Sequence, residues 1–94
     1  MKTYLIQRNI PGVGKLNAEE RKGIAVRSCN VLDQLNASEI QWIQSLITPD
    51  NIWCIYKAVN EEVLREHGRR GSFPVDNILE VCNIISPATA TSPV

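Results

Sequence analysis

The stretch EIQWIQSLITPDNIWCIYKA, Glu39 to Ala58, decides the fold. Its first half, Glu39 to Thr48, alternates imperfectly and carries the Ile, Trp and Thr that suit a pleated, half-buried surface. Pro49, Asp50 and Asn51 supply turn chemistry, after which NIWCIYKA resumes in strand-like composition. The two halves are expected to pair as a hairpin. Side chains alternate along a strand, so Trp42 and Leu46 are expected on one face and Ile43 and Ile47 on the other. Trp53 and Ile55 likewise oppose Ile52, Cys54 and Tyr56. Apolar residues on both sides call for a sheet covered on both faces.

Working outward, Lys2 to Arg8 reads as a short strand, stopped by Asn9 and by the punctuation of Pro11, Gly12 and Gly14. Asn17 followed by Glu20 has the form of a reciprocal helix cap. Ile24, Ser28, Val31, Leu32 and Leu35 recur at helical spacing, so a helix is expected from about Ala18 to Leu35. Gly23 inside it costs roughly 1 kcal/mol against alanine; close approach to a strand is one reason to tolerate it, and local loss of helicity is the rival. Asn60 can cap a second helix, with Glu61 and Glu62 at its positive end, Arg69 and Arg70 at its negative end, and Gly68 or Gly71 as its stop. Val75 to Ile85 returns to strand character.

This order predicts an α+β fold: a ferredoxin-like βαββαβ antiparallel sheet with two helices on one face, over residues 1–86. Residues 87–94, rich in Pro, Ala, Thr and Ser, are expected to form a loose tail. A chain of 94 residues buries about 60 to 65 per cent of its extended surface and has no further element for the second face. Homodimerisation through that face, in a dimeric α/β-barrel type of assembly, is the economical solution.

Ten Lys plus Arg balance ten Asp plus Glu, and apart from Arg69 and Arg70 the basic residues are scattered. No stripe suited to a phosphate backbone follows, and nucleic acid is not an expected partner. The start, MKTYLIQRNIPG, is too short and polar in its apolar run for a signal peptide or membrane span, so the expected setting is cytoplasmic, without a membrane. IPGVGK lacks the Lys-Ser/Thr ending of a phosphate loop and reads as a turn. Cys29, Cys54 and Cys82 lie far apart among apolar neighbours and read as buried free thiols; a soft-metal site joining Cys54 and Cys82 is the alternative.

The single histidine, His67, lies on the second helix. Leu64 and Val63, three and four residues earlier, put it on the side expected to face the sheet. It can be a packed, hydrogen-bonded histidine, a pocket or proton-transfer group, or a metal ligand. Tyr4, Arg8, Trp42, Tyr56, His67 and Phe73 supply aromatic walls and polar heads for a small-molecule pocket, with Arg8 able to hold a carboxylate or enolate. Trp42 and Tyr56 also suit a core or dimer interface, and Arg8 at a strand end suits solvent. No Ser-His-Asp, Cys-His or paired-carboxylate signature supports hydrolysis.

YLIQRNIPGVGKLNAEE, IQWIQSLITPDNIWCIYKA, REHGRRGSFPVDNILEV and the closing ISPATA together resemble a family of small bacterial proteins catalogued as a domain of unknown function, with a nickel-binding member. The resemblance spans about Met1 to Ala90. It implies a ferredoxin-like subunit in a dimer of facing sheets and a role in nickel sequestration or tolerance, with nickel ion as the bound species and no organic cofactor. Nickel favours imidazole with carboxylate or water, so His67 with Glu66, Glu62 or Asp76 is the histidine-containing cluster available to one subunit. A single imidazole with carboxylates binds weakly unless a second copy adds ligands, so such a site is expected to be exposed and assembly-dependent. The expectation is a non-enzymatic divalent-metal-binding homodimer. The alternative is a small-molecule-binding pocket protein or a cofactor-free monooxygenase- or isomerase-like enzyme.

Overall fold

The computed structural model describes residues 1–94. The elements follow in the order β1 (Lys2–Asn9), α1 (Ala18–Leu32), β2 (Ile40–Ile47), β3 (Asn51–Ala58), α2 (Glu61–Gly71) and β4 (Asn77–Val81). Short 3-10 turns lie at Val13–Lys15 and Pro87–Thr91. The four strands form one sheet in the order β2-β3-β1-β4, with every neighbouring pair antiparallel. No helix is long and apolar enough to cross a membrane.

The caps read from the sequence are in place. Asn17 accepts from the Glu20 backbone N–H at 2.8 Å while the Glu20 carboxylate accepts from the Asn17 backbone at 3.1 Å, which satisfies two donors that a helix start leaves unpaired. Asn60 accepts from the Val63 N–H at 3.1 Å. Helix α1 ends three residues before the expected Leu35 and runs through Gly23, where a Cβ would meet nothing within 4 Å. Close approach therefore does not explain that glycine. Helix α2 runs through Gly68 and stops at Gly71, the second of its two expected stops, with Ser72 capping it in the left-handed conformation at φ 56°. Gly71 also serves packing: a Cβ there would collide with the Phe73 ring, which folds back over the helix end.

Alternation gives the sheet two unlike faces. Rows of side chains under the helices run Trp42, Tyr56, Tyr4 and Ser45, Cys54, Ile6, Ile78 and Ile47, Ile52, Arg8. Tyr4, Ile6, Ile52, Cys54, Tyr56 and Ala58 are buried there with Leu64 from α2. Across the other face run Gln44, Ile55, Leu5, Leu79 and Leu46, Trp53, Gln7, Asn77, with no element above them. Leu46 and Leu79 are about half exposed.

A break in the β2–β3 register between Trp42 and Gln44 corrects the expected facing of β2. Ile43 is the unpaired residue, and one extra residue reverses the alternation after it. Trp42 and Ile47 consequently share the helix-covered side, and Leu46 faces the open side. Strand β4 stops at Val81, short of the expected Ile85, and residues 82–94 are exposed apart from the sheet. Only Cys54 is buried. Cys29 and Cys82 are exposed free thiols, and strand β1 separates β3 from β4, so Cys54 and Cys82 are not neighbours.

Candidate functional site

Between α1 and the sheet lies a cavity of about 180 Å³. Helix α1 contributes Ile24, Ala25 and Ser28 as one wall; the sheet contributes Arg8, Trp42, Ile52, Cys54 and Tyr56 as the floor. Phe73, carried back by the turn after α2, and Arg21 of α1 belong to the lining as well. The bulge in β2 is what brings Ile47 to the same side as Trp42, so that both line this space.

Arg8 is the charged group of the floor. It continues the Tyr4, Ile6 row of β1 and is 2% exposed, contrary to the solvated strand end expected of it. Its Nη1 donates to the Pro74 carbonyl at 2.8 Å and its guanidinium lies 5.3 Å from the centroid of Phe73. Nη2 is buried without a partner. Arg27 covers Phe73 at 4.5 Å, so the ring is held between cations and His67.

His67 is 1% exposed. It stacks on Phe73 at 5.6 Å between centroids and tilts against Tyr56 at 5.4 Å. Its Nε2 lies 3.2 Å from Ser28 Oγ, and Nδ1 is buried without a partner. Burial, reinforced by the charge of Arg8, pulls the imidazole pKa down to about 4, so the ring is neutral near pH 7. Burial also raises the Tyr56 phenol above its ordinary value, against the opposing influence of Arg8, and the hydroxyl stays protonated. The packed, hydrogen-bonded reading of His67 describes its surroundings.

The expected pocket residues therefore largely converge. Arg8, Trp42, Tyr56 and Phe73 line the cavity, His67 backs Tyr56 and Phe73, and Tyr4 sits one position away in the buried core. The expected metal cluster does not converge within one subunit. Glu66 pairs with Arg69 at 2.6 Å and Arg70 at 2.9 Å, Glu62 pairs with Arg69 at 3.0 Å, and these groups are exposed on the outside of α2. Hydrogen bonds from Arg70 and Arg69 hold the Glu66 carboxyl below its usual range. Asp76 accepts from the Asn9 backbone N–H at 2.6 Å on the β1–β4 side. No group of three or more His, Cys, Asp and Glu side chains is arranged to hold a metal. Residues adjacent in a helix point about 100° apart, so Glu66 faces out where His67 faces in.

Ser28, Cys54 and Arg21 complete the site without having been singled out for it. Ser28 carried a signal, being a polar residue inside the apolar stripe of α1; Arg21 carried none.

One four-stranded antiparallel sheet layered with two helices defines the class of protein: a small α+β fold. A family model described as SCO4226-like, nickel responsive protein SCO4226-like, matches residues 4–81, and the chain belongs to that family. A solved structure, the crystal structure of SCO4226 from Streptomyces coelicolor A3(2), is similar in fold, with a TM-score of 0.72 at 14% sequence identity, over 88% of this chain and 99% of that one. No curated protein matches.

Proposed function

We propose that this chain is a non-enzymatic binding protein with a nickel-related role that works as a homodimer of ferredoxin-like subunits. The observation that carries the role is the nickel-responsive family match over residues 4–81. The apolar open face, with Leu5, Trp53, Ile55 and Leu79 in adjacent rows, supports the pairing of two sheets. The donors of one subunit do not fit a nickel ion around His67: the imidazole is enclosed by Ser28, Tyr56 and Phe73, and Glu62, Glu66 and Asp76 face elsewhere. In this reading nickel is held by exposed donors, with more than one copy contributing, and the setting is the cytoplasm.

Calorimetric nickel titration of the wild type and His67→Ala, with light scattering on the same samples, tests this. Heat accompanied by association and retained in His67→Ala is the expected result. Heat lost in a folded His67→Ala would return the metal to the imidazole. No heat from the wild type would contradict direct nickel binding.

One observation favours a second reading, in which each subunit also binds a small molecule. Arg8, Ser28 and Tyr56 bring buried polar groups to a predominantly apolar cavity beneath α1, an arrangement typical of sites that orient a ligand.

A further inference from the structure

Arg8 is a buried charge with no anionic partner in the chain. A guanidinium keeps its charge at any ordinary pH, and burying a charge without a partner is costly. No carboxylate forms an ion pair with Arg8; the ion pairs of the protein are Lys2–Glu80 and the Glu62, Glu66, Arg69, Arg70 group. His67, whose pKa the charge of Arg8 helps to lower, is neutral near pH 7 and supplies no countercharge. One of the two terminal nitrogens of Arg8 is used, on the Pro74 carbonyl, and the other is buried and unpaired.

The cavity supplies what would complement that charge. Arg8 is the buried charge of its lining, with the Ser28, Ser45 and Tyr56 hydroxyls and the exposed Arg21 as further polar groups. The rest of the wall, through Ile24, Trp42, Ile52 and Cys54, is predominantly apolar. An apolar cavity of about 150 Å³ accommodates benzene. The 180 Å³ here gives room for a body of that size with one small charged group attached.

We propose that this cavity binds a small organic monocarboxylate, its carboxylate paired with Arg8 and its apolar body packed beneath α1 against Trp42, Ile24 and Cys54. This deepens, and rests on, the reading of the cavity as a small-molecule site. The carboxylate supplies the missing countercharge and an acceptor for the unpaired Nη2, and the geometry of a guanidinium suits two parallel hydrogen bonds to it. Dianions are disfavoured, because the second guanidinium of the lining, Arg21, is exposed and already donates to the Leu16 carbonyl at 2.6 Å, so it offers a second charge only solvent-screened pairing.

The test uses the full chain with sodium benzoate as probe, benzamide as its neutral counterpart and sodium sulfate as an inorganic anion, read by calorimetry and thermal shift. Wild type is compared with Arg8→Met, which keeps the side-chain volume roughly similar and removes the charge, and with Ala25→Phe, which fills the cavity and leaves Arg8 in place. The expected result is benzoate binding that weakens on the order of ten- to a hundredfold in Arg8→Met and disappears in Ala25→Phe. Benzamide and sulfate are expected to bind far more weakly than benzoate. Benzamide binding as tightly as benzoate would overturn the carboxylate assignment while leaving the cavity a ligand site. Sulfate binding as tightly as benzoate would overturn the apolar-body requirement. Absence of binding by benzoate and benzamide alike would overturn both the assignment and the small-molecule reading beneath it. Should Arg8→Met fail to fold, unchanged benzoate binding in Ala25→Phe is by itself sufficient to overturn the proposal, and its loss there supports it.

Discussion

The two faces of the sheet are made by the same strands and meet opposite fates. Under the helices, Ile6, Cys54, Tyr56 and Leu64 are sealed from water around a cavity that holds a buried cation. On the other side, Leu46 and Leu79 remain about half exposed, beside Leu5, Trp53 and Ile55. The difference comes from supply. Strand alternation distributes apolar residues to both faces, but the chain carries two helices and both lie on one side. In the proposed reading the covered face binds and the open face assembles.

The sharpest way to break this contrast is to truncate one leucine on each side. Leu64→Ala removes a fully buried side chain and is expected to cost about 2–5 kcal/mol in denaturant unfolding. Leu79→Ala, measured at protein concentrations low enough to separate subunits, is expected to cost about 0.5 kcal/mol or less. Equal losses would mean that the open face is not open in the isolated subunit.

Acid should expose the same contrast electrostatically. His67 has its pKa lowered from 6.5 to about 4 in the folded protein, so the unfolded chain takes up a proton that the folded chain refuses. Stability is therefore full above pH 6.5, falls as pH drops from about 6.5 toward 4, and has lost on the order of 3 kcal/mol from this group at the lower end. His67→Phe, which cannot titrate, is expected to flatten that slope in a series of denaturant melts. An unchanged slope in the variant would assign the acid sensitivity to other groups.

Much of the fold was legible in the sequence because it is written in short-range signals. The Asn17 and Asn60 caps, the hairpin turn at Pro49–Asn51 and the period-two pattern of β1 and β3 each act within a few residues. The bulge at Ile43 was not legible, since nothing local marks which residue will lose its partner; it reversed the facing of Leu46 and Ile47. The site was half legible. The Tyr4, Ile6, Arg8 alternation in β1 already put Arg8 on the buried row, and a prior for solvated arginines obscured it. The metal cluster gathered His67 and Glu66 because they are adjacent in sequence, whereas helical geometry turns adjacent side chains apart. Ser28 against His67 joins residues 39 positions apart, a pairing set by how α1 and α2 pack and invisible to spacing.

The central claim, that one face binds and the other assembles, is tested most directly by light scattering on the wild type and on Ile55→Glu, which places a charge at the centre of the open face. The account predicts a wild-type mass about twice the 10.5 kDa of the chain, and a folded Ile55→Glu variant at the mass of one chain. A wild type that stays at one chain mass across the micromolar range, or a variant that keeps the doubled mass, would contradict it.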